Sequence, residues 1–507
     1  MIKFLLFFFS LQLMAESFPL DLEKQSLQQE LRSIPVLQGG RIKPLIVLAH
    51  ETMNFLSAEK KPLGLKPISA FYMMSLSSVP SLQTELPDFQ KKFLIKIEHQ
   101  KTKDLLGMPA NESAMTAGQL AEMQMKIRME YEKLKLNDAY KKDLNKTLLR
   151  LQRYQQLASG ELWTVAYVEG ENVSWPLLTE QIEAEQIHPA ALNDYLVSAQ
   201  EQFEKVQRAT HRLETFYHLY NPFTFAIFMT LISLMVLFAA QKVGAKISLV
   251  LVTVILQIIG ITMRVMISGR APITNMYETV MFSGFGALII GLIIFAFKRE
   301  KMFLIAGLCY NLLCLLMMRF APGMLDPSIS PLVPVLRDNF WLSTHVTTVI
   351  LSYAALALSW ILANLVLIKN RFFELEKSSY QHLVKMIHLC VQIGVVTLAT
   401  GIILGGVWAD YSWGRFWGWD PKETWSLIVL LIYVAILHGK YTQWIPARRY
   451  VPLIAASFMS VMMAWFGVNY ILAAGLHSYG FSEGGAAFLI SVFAAQTLIL
   501  LLTWKKG

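Results

Sequence analysis

Thirteen residues, WGRFWGWDPKETW from Trp413 to Trp425, hold four tryptophans, a phenylalanine and two carboxylates, Asp420 and Glu423. Two histidines lie elsewhere beside long apolar runs: His345 in FWLSTHVTTVILSY and His477 in GLHSYGF. Imidazole is a good axial ligand for haem iron. Flat aromatic rings suit a flat macrocycle by stacking, and Arg415 and Lys422 offer cations for its propionates. The plainer alternative is an interfacial aromatic belt, with each histidine a polar residue at a helix end. A belt accounts for any one of these tryptophans. It accounts less well for four of them packed beside Asp420, Lys422 and Glu423.

Three other histidines invite different readings. His438, in YVAILHGKY, falls inside an apolar run, where an ionisable group is a functional candidate. His388, in MIHLCVQIG, also sits near the end of such a run, where imidazole can simply reach for the interface. His382 reads as a solvated loop residue. His50, His99, His188, His211 and His218 are scattered without catalytic spacing and read as ordinary surface or packing residues. The cysteines, Cys309, Cys314 and Cys390, all lie in apolar runs with neither CxxC nor CxxCH. This argues against a dithiol oxidoreductase and against a c-type cytochrome.

The elements that must position these residues follow from hydropathy. The 507-residue chain is 54% hydrophobic and 16% charged, with mean hydropathy +0.44. That is the composition of a polytopic membrane protein. Apolarity begins abruptly near Phe223. Runs of about 20 residues fall near 222–240, 246–266, 278–297, 302–320, 343–368, 386–409, 424–439, 450–472 and 485–503. The expected fold is all-α and polytopic, with about nine transmembrane helices behind an N-terminal, mainly helical extracytoplasmic domain.

Basic residues set the orientation. Lys242, Lys246, Lys298, Arg299, Lys301, Lys369, Arg371, Lys377, Lys385, Lys440, Arg448, Arg449, Lys505 and Lys506 fall in alternate loops, which are read as cytoplasmic. The opposite loops hold only Arg270, Arg337, Arg415 and Lys422, with Arg264 and Arg319 near span ends. His345, His477 and the tryptophan loop then share the outer side, while His438 and His388 lie near the inner side. MIKFLLFFFSLQLMAES reads as a signal peptide over residues 1–15, or a retained anchor. That leaves residues 16–221 outside and 222–507 in the membrane. In the outer part, AGQLAEMQMKIRMEYEKLKL, KKDLNKTLLRLQRYQQL and the long stretch from His188 to Tyr220 have helical spacing. ELWTVAYV alternates like a strand, with EGEN as a turn. The net charge of +9 lies largely beside apolar spans, where it sets topology, and predicts no nucleic-acid partner.

WGRFWGWDPKETWSLI resembles the WWD signature of haem-handling proteins of cytochrome c maturation, and its WDPKETW ending is similar to the CcsA branch of the System II pathway. GRAPITNMYETVMF, STHVTTVILSYAALA, YVAILHGKY and GLHSYGF resemble CcsA segments in the same order, so the likeness covers roughly 220–507. VLQGGRIKPLIVLAHETMNFL is weakly similar to a segment preceding the membrane part of some fused relatives. The resemblance implies transport of haem b across a bacterial inner membrane and its attachment to CxxCH motifs of apocytochrome c outside, as a cytochrome c haem lyase subunit. It assigns His345 and His477 as outer-site ligands of the haem iron and His438 as an inner-site ligand. Trp413, Trp417, Trp419, Asp420 and Trp425 fall on the WWD residues of the loop that cradles haem. Catalysis would be positioning, with no residue marked as acid or base.

Fused relatives carry a second intramembrane histidine in a CcsB (ResB-like) half, and no span precedes Phe223 here after the signal peptide. Either a separate CcsB/ResB-like subunit supplies that ligand or His388 does. Two further readings stand beside the lyase: a haem chaperone or transporter serving a separate synthase, and a membrane scaffold that recruits apocytochrome.

Overall fold

The computed structural model describes residues 30–79, 86, 88–135, 139–187, 191–239, 247–331, 339–373, 375–472 and 485–503. His477 and His188 lie outside the described residues, as does the segment 1–15. The chain divides into two compact units, Met1–Leu219 and Tyr220–Gly507.

The first unit is mainly helical. Its hairpin pairs Pro35–Gln38 with Arg41–Pro44 around Gly39 and Gly40, whose φ values are +58° and +77°. Two central residues with positive φ suit the two-residue loop that follows the twist of the strands. Leu45, Leu48, Phe71, Tyr72, Leu144, Leu151 and Trp163 are buried in its core. Arg150 is buried too. Its guanidinium donates to the Phe55 and Lys96 carbonyls at 2.9 Å each and pairs with Glu98 at 3.1 Å. The buried charge is thereby satisfied. The two amphipathic segments fold as Ala117–Glu122 with Gln124–Lys133, and as Ala139–Ala158.

Two expectations are revised in this unit. ELWTVAYV yields only a short strand, Tyr167–Glu169, paired with Asn172–Ser174. The continuous helix expected to end at Tyr220 is broken into Leu192–Val206 and Thr210–Leu219, with Gln207 extended between them. The break lets His211 fold back onto Glu204 at 3.0 Å and lets Glu214 take both arms of Arg41 at 2.6 and 2.9 Å. Tertiary ion pairing thus outweighs helical continuity.

The second unit is a helical bundle. Among the described residues of the chain, nine helices are long and apolar enough to cross a membrane. The first is Pro222–Ala239 within this unit. Ile247–Ser268, Met276–Lys298, Lys301–Phe320, Leu342–Phe372, Lys377–Trp413, Pro421–Tyr441, Arg448–Leu472 and Gly485–Thr503 follow. All nine fall on the apolar runs of the sequence, and the chain is an all-α polytopic membrane protein. The sixth helix, with 37 residues, is much longer than its run. At about 1.5 Å per residue it extends about 55 Å, well beyond a hydrocarbon core of about 30 Å.

The fifth and eighth helices are central, each with 72% of its apolar stretch buried, whereas the seventh and ninth are 22% and 17% buried. Polar side chains tie the helices together where lipid offers no alternative partner. Gln257 and Asn311 exchange amide hydrogen bonds at 2.8 and 3.1 Å. Asn364 and Gln496 do the same at 3.1 Å, and Trp360 Nε1 also donates to Gln496 at 2.7 Å. Arg264 and Glu278 form a fully buried ion pair at 2.8 Å. Arg264 also donates to the Pro327 and Ser328 carbonyls, and Glu278 accepts from the Thr274 amide and hydroxyl. This network anchors the segments around 270–275 and 326–330 at one end of the bundle.

Candidate functional site

A cavity of about 150 Å3, continuous with open solvent, lies at that end of the bundle. It is built from the starts of the third, fifth and seventh helices, the ends of the sixth and eighth, and the tryptophan loop. Two π-helical stretches reach it: Leu342–Val346, which carries His345, and Met463–Leu472, which carries Trp465 and Asn469. Such wide turns shift side chains off the regular helical face and recur at functional sites.

His345 is held from the sixth helix. Its Nδ1 lies 2.9 Å from the Gly401 carbonyl. A carbonyl can only accept, so Nδ1 carries the proton. In the neutral ring Nε2 then carries the lone pair, the arrangement that backbone carbonyls impose on metal-binding imidazoles. The ring also packs closely against Gly405: a Cβ there would sit 2.5 Å from Cε1 and 2.9 Å from Nδ1. At Gly406 a Cβ would meet the Phe416 ring at the same 2.5 Å. The sequence GIILGG therefore presents bare backbone where an imidazole and a phenyl ring must press against the helix.

The walls are aromatic. Trp408, Phe416, Trp417, Trp465 and Tyr353 line the cavity with Met276. Trp408 lies 5.8 Å from the His345 ring and stacks on Trp413 at 6.2 Å. Trp465 Nε1 donates to Thr279 Oγ1 at 3.2 Å. Of the tryptophans singled out by sequence, Trp417 lines the cavity, whereas Trp413 reaches it through Trp408. Trp419 is 70% exposed and meets Trp417 edge-on at 5.9 Å. Trp425 is on the first turn and a half of the seventh helix but does not line the cavity.

The loop ends in a capping box that sets the seventh helix. Asp420 is the N-cap, buried, and accepts from the Lys422 amide at 2.9 Å. Pro421 is pre-organised at the first helical position. Glu423 Oε2 accepts from the amides of Asp420 at 3.2 Å and Gly418 at 2.7 Å. This is the reciprocal half of the box. Those two amides flank Trp419, whose φ is +56°. A positive φ is rare for a bulky residue. The cap thus fixes a strained turn that throws Trp419 outward and leaves Trp417 inward. Lys422 points its ammonium toward Asn469, with Nζ 3.5 Å from Oδ1.

Two polar atoms on cavity-lining residues are buried with no hydrogen-bond partner among the described residues: the indole N–H of Trp408 and Oε1 of Glu423. A flat iron-bearing macrocycle with carboxylate arms would find an imidazole in His345, flat faces in the indoles and Phe416, and a cation and an N–H donor in Lys422 and Trp408. Trp408, Trp465, Met276 and Asn469 were not legible in the sequence, because an aromatic or polar residue inside an apolar run carries no mark of what it faces.

The second pair of histidines is elsewhere. His438 is sixteen residues beyond Lys422 on the seventh helix. At about 1.5 Å per residue that is about 24 Å along the axis. Its side chain is exposed, with no hydrogen bond among the described residues. His388 is half-buried and bonds Tyr450 through Nδ1 at 3.1 Å, and Lys440 lies over that same tyrosine ring at 4.3 Å. Among the described residues no hydrogen bond or ring contact joins His388 to His438.

Residues 273–477 match the family model described as cytochrome c assembly protein. The chain is 28% identical to protein NrfI of Wolinella succinogenes over 499 residues, which covers 87% of this chain and 53% of that protein. It is 35% identical to the cytochrome c biogenesis protein CcsA of Chlamydomonas reinhardtii over 224 residues, covering 42% of this chain and 62% of that one. With the CcsA protein of Parasynechococcus marenigrum it shares 30% identity over 293 residues, 51% of this chain and 95% of the relative. The chain thus spans about half the length of the Wolinella protein.

Proposed function

This chain belongs to the cytochrome c assembly protein family, and we propose that within it the chain moves haem b across a bacterial inner membrane and joins it to CxxCH motifs of apocytochrome c. In this reading haem is cargo and substrate. It enters near His438 on the cytoplasmic side and is held in the cavity at the outer end. His345 supplies one axial ligand and His477 the other, with Trp417 and Trp408 against the macrocycle and Lys422 at a propionate. Axial ligands and local polarity are the means by which a protein tunes haem iron. Trp413, Trp419, Asp420 and Trp425 shape the loop around it. The client's histidine then displaces one ligand and its thiols add to the two vinyl groups.

The observation that carries this reading is the setting of His345. An imidazole oriented by a backbone carbonyl stands in an aromatic-walled cavity. A CcsB/ResB-like partner fits the seventh helix, which is little buried and leaves the ionisable His438 exposed. An intramembrane imidazole facing plain lipid would be costly. Residues 16–221 would hold the apocytochrome outside.

The test is the absorption spectrum of the detergent-purified chain, as isolated and reduced, with and without a co-expressed CcsB-like partner. Wild type is expected to carry low-spin haem, and His345→Ala and His477→Ala to lose or shift it. His438→Ala is expected to lower loading. No haem in wild type with the partner present would refute the reading. Haem without covalent attachment to a CxxCH peptide would instead identify a chaperone that serves a separate synthase.

A further inference from the structure

We propose that Glu423 is a catalytic residue that carries the proton during thioether formation in the His345 cavity, an inference that rests on the haem-attachment reading above. Its carboxylate has two distinct oxygens. Oε2 is occupied by the Gly418 and Asp420 amides at 2.7 and 3.2 Å. Oε1 is buried, has no partner among the described residues, and belongs to a residue that lines the cavity. Ser426, one turn along, does not serve it, because its hydroxyl donates to the Glu423 carbonyl at 2.7 Å. Lys422 does not serve it either, since that ammonium is directed at Asn469.

Capping alone does not explain this carboxylate. A glutamine at the same position completes a capping box equally well through its carbonyl. A carboxylate oxygen buried without a donor is among the more expensive polar groups to leave unsatisfied. Its retention on a cavity wall points to a donor that arrives with the substrate. Haem itself brings carboxylates and no such donor. The client brings thiols, and these must come from outside the chain, because Cys309, Cys314 and Cys390 are not among the residues lining the cavity.

The reaction needs one proton moved and no electrons. The S–H bond of the client cysteine breaks and its proton passes to Glu423 Oε1. The sulfur lone pair forms a C–S bond to the vinyl α-carbon. The vinyl π pair shifts to the β-carbon, which takes the proton back from Oε1. Thiol and alkene become a thioether, and the carboxylate is regenerated. While Oε1 cycles, Oε2 keeps its two amide bonds, so the group moves a proton without moving itself.

Glu423→Gln isolates this role, because the amide retains the cap and places NH2 where Oε1 stands. The full-length chain in its native membranes would be given a synthetic CxxCH peptide and followed by absorption. Bound haem in the variant should match wild type, while covalent attachment should slow by about 100-fold or more, the usual contribution of a positioned acid–base group. Attachment at the wild-type rate overturns the proposal, as does loss of haem from the variant, which would make Glu423 a structural cap. Failure of wild type to bind or attach haem overturns the reading beneath it, and the two failures are told apart by the wild-type control.

Discussion

Gly405→Ala adds one carbon where the His345 ring now touches the sixth helix. The new Cβ would sit 2.5 Å from Cε1, 2.9 Å from Nδ1 and 3.2 Å from Nε2, all inside ordinary contact distance. The ring must retreat by about 1 Å to restore a normal carbon–carbon separation of about 3.5 Å. It cannot do so and keep the 2.9 Å bond from Nδ1 to Gly401, because both contacts lie on the same helix. Loss of that bond removes about 1 kcal/mol of anchoring. The larger effect is on the ligand. Disturbing the partner that orients a metal-binding imidazole typically lowers metal affinity by about 10- to 100-fold. The helix itself should be unharmed, since alanine in a helix interior is favoured over glycine by about 1 kcal/mol. Haem retention through successive detergent washes, read from the Soret band beside a thermal melt, separates the two effects. The expected result is an equal or higher melting temperature with haem depleted at least tenfold. A variant with wild-type haem content and spectrum would show that the Gly405 contact does not position a ligand, and would remove the main physical support for His345 in that role.

Lys422→Met should weaken haem binding by about 10- to 100-fold, the range of a charge-assisted hydrogen bond of about 1.5–3 kcal/mol. It should leave binding of the haem dimethyl ester, which lacks propionate charge, nearly unchanged. Arg264→Leu strands Glu278 in the bundle interior. Removal of one member of a buried pair is expected to destabilise by about 3–5 kcal/mol, seen as loss of folded protein in membranes. In the other unit, burial and then His218 push the His50 imidazole down to about 4, whereas an unfolded histidine titrates near 6.5. The unfolded state therefore binds more protons between these values. The contribution of neutral His50 is complete above about pH 6.5 and is lost as pH falls toward 4. Hydrogen exchange in Leu45–Leu56 of the full chain should accelerate over that window, and His50→Phe should flatten the response.

The parts of this molecule legible in the sequence are those governed by a long repeated signal. A bilayer demands about 20 apolar residues per helix, and all nine helices follow from that alone. Their ends do not. The N-terminal third of the sixth helix contains KSSYQHLVK, which hydropathy reads as loop, yet nothing in it breaks a helix and the chain continues as one. The site is legible in part. His345 and Trp417 line one cavity, but much of its wall comes from Trp408, Trp465, Met276 and Asn469, which look like ordinary members of apolar spans. Two π-helical stretches rotate some of them inward, and no spacing rule built on the regular helical turn anticipates that rotation. The signal for the close approach is GIILGG. Glycines there weaken a helix unless something must approach its backbone, and here an imidazole and a phenyl ring do.

The tryptophan loop is one mechanical unit because Glu423 joins its two halves. The turn at Trp419 has a positive φ, which a bulky side chain adopts at a cost of about 1–3 kcal/mol. Such a turn persists only where its surroundings hold it, and the two amides on either side of Trp419 both bond to Glu423 Oε2. Release of those bonds would let Trp419 relax to an ordinary conformation and would swing Trp417, its edge-on neighbour, relative to the cavity. The outward indole and the inward one are therefore coupled through a single carboxylate. A client chain that presses on the exposed Trp419 would strain the same group whose other oxygen is buried without a partner among the described residues. Trp419→Gly separates these parts: it removes the strain and the outer ring while leaving the capping residues in place. If the outer ring only decorates the interface, attachment to a CxxCH peptide should proceed at the wild-type rate. If it receives the client, haem binding should be retained while the peptide concentration needed for half-maximal attachment rises.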